Sequence, residues 1–72
     1  MSPIKVVRTV GEALYGQLWQ TEMANALGVS ARAVRRWLAG DANPPDDIGP
    51  RLRSVIDQRI AALREAKQLL PK

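Results

Sequence analysis

Glycines at positions 16, 28 and 40 divide the first part of this 72-residue chain into short segments. Glycine adopts the left-handed backbone that ends a helix without a steric penalty, so each of the three predicts a helix C-terminus. Between them the apolar residues recur at helical rather than alternating spacing. The sequence therefore predicts an all-α protein whose core is built from helices packed against one another.

Two helices are predicted before Gly28. Thr9 and Glu12 have the spacing of a capping box, which predicts a first helix that begins near Val10 and ends near Gly16. Residues 20–27 have a helical period, with apolar side chains on one face and polar side chains on another.

Two further helices are predicted after it. Ser30 is a suitable N-cap for a third helix that ends near Ala39. Asp47 is the predicted N-cap of a long fourth helix over residues 48–70, because Pro50 then lies in the first turn, where its missing N–H is no loss.

Residues 1–8 are predicted to form an N-terminal arm or a short edge strand outside the domain of residues 9–72. Pro3 disfavours a helix interior, and the β-branched residues that follow it favour extended backbone. Lys5 and Arg8 give the arm a positive charge, which could contact a DNA groove or phosphates, or could simply be solvated.

Composition excludes several classes of function. The chain has neither Cys nor His, so it lacks thiol nucleophiles, Cys/His zinc sites and the usual acid/base residue at neutral pH. Asp41, Asp46 and Asp47 do not have the spacing of a calcium loop. No segment has the apolar length of a membrane span or of a secretory signal. We expect a cytoplasmic protein that is not an enzyme and has no metal, cofactor, membrane or small-molecule ligand.

The predicted third helix has an unusual distribution of charge. At about 100° per residue, Arg32, Arg35 and Arg36 fall in one arc, while Val34 and Trp37 fall in the opposite arc. Arginine can bond guanine O6 and N7 bidentately or grip a phosphate, and the neighbouring alanines allow close approach to a groove. The alternative is an ordinary solvated basic face. Three arginines without an acidic neighbour repel one another, which favours the nucleic-acid interpretation.

Residues 20–39 resemble the helix-turn-helix of phage lambda repressor and Cro-like transcriptional regulators. The resemblance is carried by five positions in one register, the first, fifth, ninth, fifteenth and eighteenth of the motif: Gln20, Ala24, Gly28, Val34 and Trp37. The chain departs from the family at Trp19, where a Ser or Thr usually caps the second helix. The resemblance implies a compact domain of four or five helices with a long C-terminal helix.

The family's DNA contacts are carried over position by position. The resemblance implies base contacts from Ala31, Arg32 and Arg36. It implies sugar–phosphate contacts from Gln20, Ser30, Arg35, Arg51 and Arg53. For Arg53 an ordinary helix pair with Asp57 is the competing interpretation. The family often has glutamines where this chain has Ala31 and Arg32, so its base preference must differ, and guanine is expected.

The implied function is that of a dimeric repressor of its own operon, of phage or mobile-element type, which binds an inverted-repeat operator in double-stranded DNA without a cofactor. An antitoxin-type autoregulator, a regulator of an anti-CRISPR or other anti-defence operon, and a helical module that docks an acidic protein are the alternatives. The predicted dimer surface is the end of the fourth helix, formed by Ile60, Leu63, Ala66, Leu69 and Leu70. A strand over residues 4–7 that pairs between subunits is the alternative to it.

Three large side chains receive separate predictions. Trp37 shares a helix face with Val34 and is predicted to be buried, and Trp19 is predicted to be at least partly buried. Arg59 falls inside the apolar stripe of the fourth helix and is expected to extend its guanidinium to water, with an ion pair to an acid across a subunit interface as the alternative.

Overall fold

A computed structural model describes residues 2–71, which form helices joined by short turns and contain no strand. The elements in chain order are α1 (Pro3–Tyr15), a 3-10 turn (Gly16–Leu18), α2 (Trp19–Leu27), α3 (Ala31–Ala39) and α4 (Ile48–Gln68). The prediction of an all-α chain is confirmed. Met1 and Lys72, which belong to the predicted arm and to the predicted domain, lie outside the described residues.

The predicted extended arm over residues 1–8 is wrong, because α1 begins at Pro3. Ser2 is the N-cap, and its hydroxyl accepts a hydrogen bond from the Lys5 N–H at 3.4 Å. Proline is favourable in the first turn of a helix, where its fixed φ suits the helix and no N–H is needed. The alternative dimer strand over residues 4–7 is wrong for the same reason.

The capping box at Thr9 does not exist in the structure. The Thr9 hydroxyl donates to the Lys5 carbonyl oxygen at 2.9 Å, one turn back within α1, so the predicted helix start near Val10 is wrong. Such a bond to the preceding turn satisfies the hydroxyl of a mid-helix threonine. The other end of α1 agrees with the sequence prediction, because Gly16 follows it with a φ of 75°.

The predicted bounds of α2 and α3 are correct to within one residue. Gly28 and Gly40 end these helices in the left-handed conformation, at φ 73° and 82°. Ser30 caps α3 by accepting the Ala33 N–H at 3.0 Å. At the start of α2, Leu18 occupies the N-cap position and makes no side-chain cap, as the departure from the family pattern at Trp19 suggests.

The core lies where α1, α2, α3 and the first half of α4 meet. Its buried side chains are Val7, Trp19, Met23, Ala24, Leu27, Val34, Trp37, Ile48, Leu52 and Val55. The burial of Trp19 and Trp37 confirms their prediction. Gly11 of α1 is also buried and lies directly beneath Trp19, since a Cβ added at Gly11 would be 2.1 Å from Trp19 Cε3. We refer to this packed part as the body.

Only the first half of α4 belongs to the body. Asp47 precedes the helix as predicted but makes no side-chain capping hydrogen bond, and the helix ends at Gln68 rather than near residue 70. Every described residue from 57 onward is exposed, so residues 57–68 form a helical extension that we call the α4 overhang. The overhang gives the protein its elongated dimensions of 48 × 22 × 21 Å. Within residues 2–71, no helix combines the length and apolar character needed to cross a membrane.

Candidate nucleic-acid interface

The turn between α2 and α3 fixes how α3 is presented. Gly28 takes the left-handed conformation, and the Val29 N–H donates to the Ala24 carbonyl oxygen at 2.9 Å, which closes the end of α2. Ser30 then begins α3 in extended backbone. Two tight, hydrogen-bonded caps separated by one residue leave little freedom for α3 to rotate relative to α2.

One side of α3 is held in the core. Val34 is fully buried, and only 6% of Trp37 is exposed. Ala33 and Leu38 are half-buried and pack against the same core. Because this side of the helix is anchored by an aromatic and a β-branched residue, its opposite side must face outward in one defined orientation.

The outward side carries three arginines. Arg32, Arg35 and Arg36 are all exposed, and α3 contains no acidic residue. We call these three residues the α3 arginine face. The side-chain hydrogen bonds found among residues 2–71 do not involve any of the three guanidinium groups.

The arginine face is electrostatically unfavourable for an isolated helix. Arg32 has like-charged neighbours three and four positions along, at Arg35 and Arg36, and each such pair destabilises a helix by about 0.2–0.5 kcal/mol. Only Arg36 lies in the last turn, where the helix dipole favours a positive charge. A polyanion bound to this face would offset the repulsion and supply hydrogen-bond acceptors for the N–H groups of all three guanidiniums.

Small residues border the arginines. Ala31 is half-buried and Ala39 is exposed, at the two ends of α3. They add no bulk to the outward side of the helix. A surface of this shape can approach a groove closely while the arginine side chains extend to its floor and walls.

The remaining predicted DNA contacts occupy different positions in the fold. Gln20 is half-buried in the first turn of α2, and exposed Ser30 is the N-cap of α3. Both therefore lie at helix N-termini, which are suited to bind phosphate through free N–H groups. Arg53 is exposed on the first half of α4.

Arg51 has a structural contact that the sequence did not reveal. It is half-buried, and its Nη2 donates to the carbonyl oxygen of Leu27, the last residue of α2. Carbonyl groups in the last turn of a helix have no partner within the helix, so Arg51 satisfies one of them and joins α4 to α2. The two residues are 24 positions apart, and no local pattern links them.

Arg51 and Arg53 should therefore respond differently to alanine substitution. We expect Arg51→Ala to lower the free energy of unfolding by about 2 kcal/mol, because a hydrogen bond from a charged donor is lost and the Leu27 carbonyl is left without it. Arg53→Ala removes the same charge from an exposed site and should change stability by less than about 0.5 kcal/mol. Urea unfolding followed by circular dichroism measures both. Equal effects of the two substitutions would contradict the structural role of Arg51.

The acidic residues of the loop before α4 were candidates for a metal site in the sequence. Asp41, Asp46 and Asp47 are exposed in and beside the loop between α3 and α4. Across the part of the chain that the structure describes, no group of three acidic side chains comes together in a way that could hold a metal ion.

Comparisons with known proteins supply no relative for this chain. No family model matches it, and neither a curated protein nor a solved structure shows significant similarity to it. A functional assignment therefore depends on the geometry and chemistry of its own residues.

Proposed function

We propose that the protein is a sequence-specific regulator of transcription that binds double-stranded DNA through α3. The observation that supports this most strongly is the α3 arginine face, which is exposed and free of acids on a helix whose other side is anchored in the core. The capped turn between α2 and α3 supports the same proposal, because it is the kind of connection that a helix-turn-helix uses to present its second helix.

In the proposed complex α3 enters the major groove. An α-helix is about 10–12 Å wide with its side chains, and the major groove is about 12 Å wide, so only a helix with a slim outward side fits. Arg32 and Arg36 bind guanine O6 and N7, and Ala31 lies against a base edge. Arg35, Ser30 and Gln20 bind the sugar–phosphate backbone and set the register of the helix along the groove.

The biological context is the one that the family resemblance implies. The body corresponds to a lambda-repressor-like domain, and two copies bind an inverted repeat whose half-sites lie about 34 Å apart, one turn of DNA. Occupation of that operator excludes polymerase and represses the operon, in the cytoplasm of the host cell.

Selection from a pool of randomised duplexes at near-physiological salt tests the proposal. We expect sequencing of the retained DNA to show an inverted repeat with guanines in each half-site. The matched control is a variant with Arg32, Arg35 and Arg36 all replaced by alanine, which should enrich no sequence. Weak, salt-sensitive retention by the natural protein without any enriched motif would contradict the proposal and favour an acidic protein partner.

A further inference from the structure

The α4 overhang, together with Leu69 and Leu70 just beyond its end, exposes an apolar stripe that the body does not cover. Ile60, Leu63 and Leu70 are exposed to 43%, 58% and 69%, and Leu69 beside them to 87%. A helical segment of this length is marginal in water unless one of its faces is packed against something. A partner packed against the stripe would therefore stabilise the overhang by covering these apolar side chains.

We propose that the partner is the overhang of a second copy of this chain, paired antiparallel about Leu63. In this register Leu63 contacts Leu63 of the other copy, and Ile60 faces Ala66 of the other copy. A large residue is thus placed opposite a small one on both sides of the central leucine pair, which lets the two helices pack evenly along the overhang.

The position of the body excludes a parallel pair. On a wheel of about 100° per residue, the buried residues Ile48, Leu52 and Val55 fall within about 80° of Leu63. The body and the apolar stripe therefore lie on the same side of α4. In a parallel pair the two bodies would have to occupy the same space beside the shared face. An antiparallel pair places them at opposite ends, with each overhang extending toward the other body.

The charged residues near the stripe fit the antiparallel register. Arg59 falls inside the stripe, but its guanidinium lies over the Tyr15 ring at 5.4 Å from the centroid, so it is directed back to the body and away from the partner. Lys67 and Asp57 lie on the same flank of Leu63. Antiparallel pairing about Leu63 brings Lys67 of one copy within about two residues, or ~3 Å along the axis, of Asp57 of the other. Parallel pairing would instead set Lys67 opposite Lys67.

The same register gives a spacing that suits DNA. Leu52 lies in the body, eleven residues before Leu63. Because the two copies meet at Leu63, the two Leu52 residues are separated along the helix axis by twice that length, or about 33 Å at ~1.5 Å per residue. Successive major grooves on one side of B-DNA lie about 34–36 Å apart. The two-fold axis of an antiparallel pair is perpendicular to both helices, so both bodies present the same surface to one side. This spacing argument rests on the proposed DNA-binding function, whereas the pairing itself does not.

Engineered disulfides test the register, because the chain contains no cysteine of its own. Leu63→Cys should form a disulfide-linked homodimer under mild oxidation. In an equimolar mixture of Ile60→Cys and Ala66→Cys chains, we expect the mixed dimer to form at least tenfold faster than either homodimer. The matched control is Ala61→Cys, on the far side of the overhang, which should remain uncrosslinked. All four positions are exposed, so these substitutions leave the core intact.

Sedimentation equilibrium supplies a second measurement. The natural protein should sediment at twice its chain mass of 7.9 kDa, and Leu63→Glu should sediment as a monomer that retains its helical circular dichroism. Homodimers of Ile60→Cys and of Ala66→Cys would overturn the antiparallel register, and a natural protein that is monomeric would overturn the pairing altogether. Both measurements are made without DNA. A failure of DNA binding with the disulfides formed as expected would count against the proposed function alone.

Discussion

An alanine at position 11 is expected to lower the free energy of unfolding by about 2 kcal/mol, although alanine favours a helix more than glycine does. The added Cβ would lie 2.1 Å from Trp19 Cε3 and 2.6 Å from Cδ2, far inside van der Waals contact. Trp19 is only 4% exposed, so its ring cannot move aside without displacing other core residues. For a domain of this size the loss corresponds to a decrease in Tm of about 8–16 °C.

Urea and thermal unfolding followed by circular dichroism measure this effect. Thr9→Ala is the matched control, since it also places an alanine in α1 but at an exposed position, and it should change stability by less than about 0.5 kcal/mol. A double-mutant cycle with Trp19→Leu isolates the contact. With the indole ring removed, Gly11→Ala should become neutral or stabilising by up to about 1 kcal/mol. A Gly11→Ala protein as stable as the natural one would contradict the packing of α1 on Trp19.

The contact between Gly11 and Trp19 also illustrates what the sequence could not predict about the fold. Gly28, Ser30 and Gly40 act through bonds to residues no more than five positions away, so their roles follow from local patterns. The need for glycine at position 11 arises only when the 3-10 turn folds α2 back against α1. In the sequence alone, Gly11 is a weak point in a helix and gives no indication that a ring covers it.

The predicted start of α1 is wrong for a different reason. Pro3 and the β-branched residues after it predict extended backbone, so the capping-box spacing of Thr9 and Glu12 sets the predicted helix start. Tertiary packing decided otherwise, since Val7 is fully buried when the helix begins at Pro3, and burial of a valine outweighs a small difference in helix propensity.

The candidate site was more accessible to sequence analysis than the fold around it. Arg32, Arg35 and Arg36 are close in sequence, so the helical period alone places them on one side, and the structure leaves them exposed. Arg51 shows the limit of this approach. Its bond to Leu27 joins two elements that are distant along the chain, and only the packing of α4 against α2 brings them together.

Removal of single arginines from the α3 arginine face is expected to separate base recognition from backbone binding. On the duplex enriched by selection, Arg32→Ala and Arg36→Ala should each weaken binding by about 1–3 kcal/mol and relax the preference at one base pair. Arg35→Ala should weaken binding to all sequences alike and reduce the dependence of log K on log salt by about one unit. Fluorescence anisotropy titrations over a range of salt concentrations measure both quantities.

The matched control is Arg64→Ala, which removes the same charge from an exposed position on the α4 overhang and should leave the preferred sequence unchanged. The stability of the variants distinguishes a loss of DNA recognition from a loss of folding. Because the α3 arginines are exposed and repel one another, replacing one with alanine should leave the free energy of unfolding unchanged or raise it by up to about 0.5 kcal/mol. A protein that folds as well as before but no longer distinguishes its operator would show that the arginines serve recognition. Equal losses on every sequence for all three variants would show that α3 contributes charge alone.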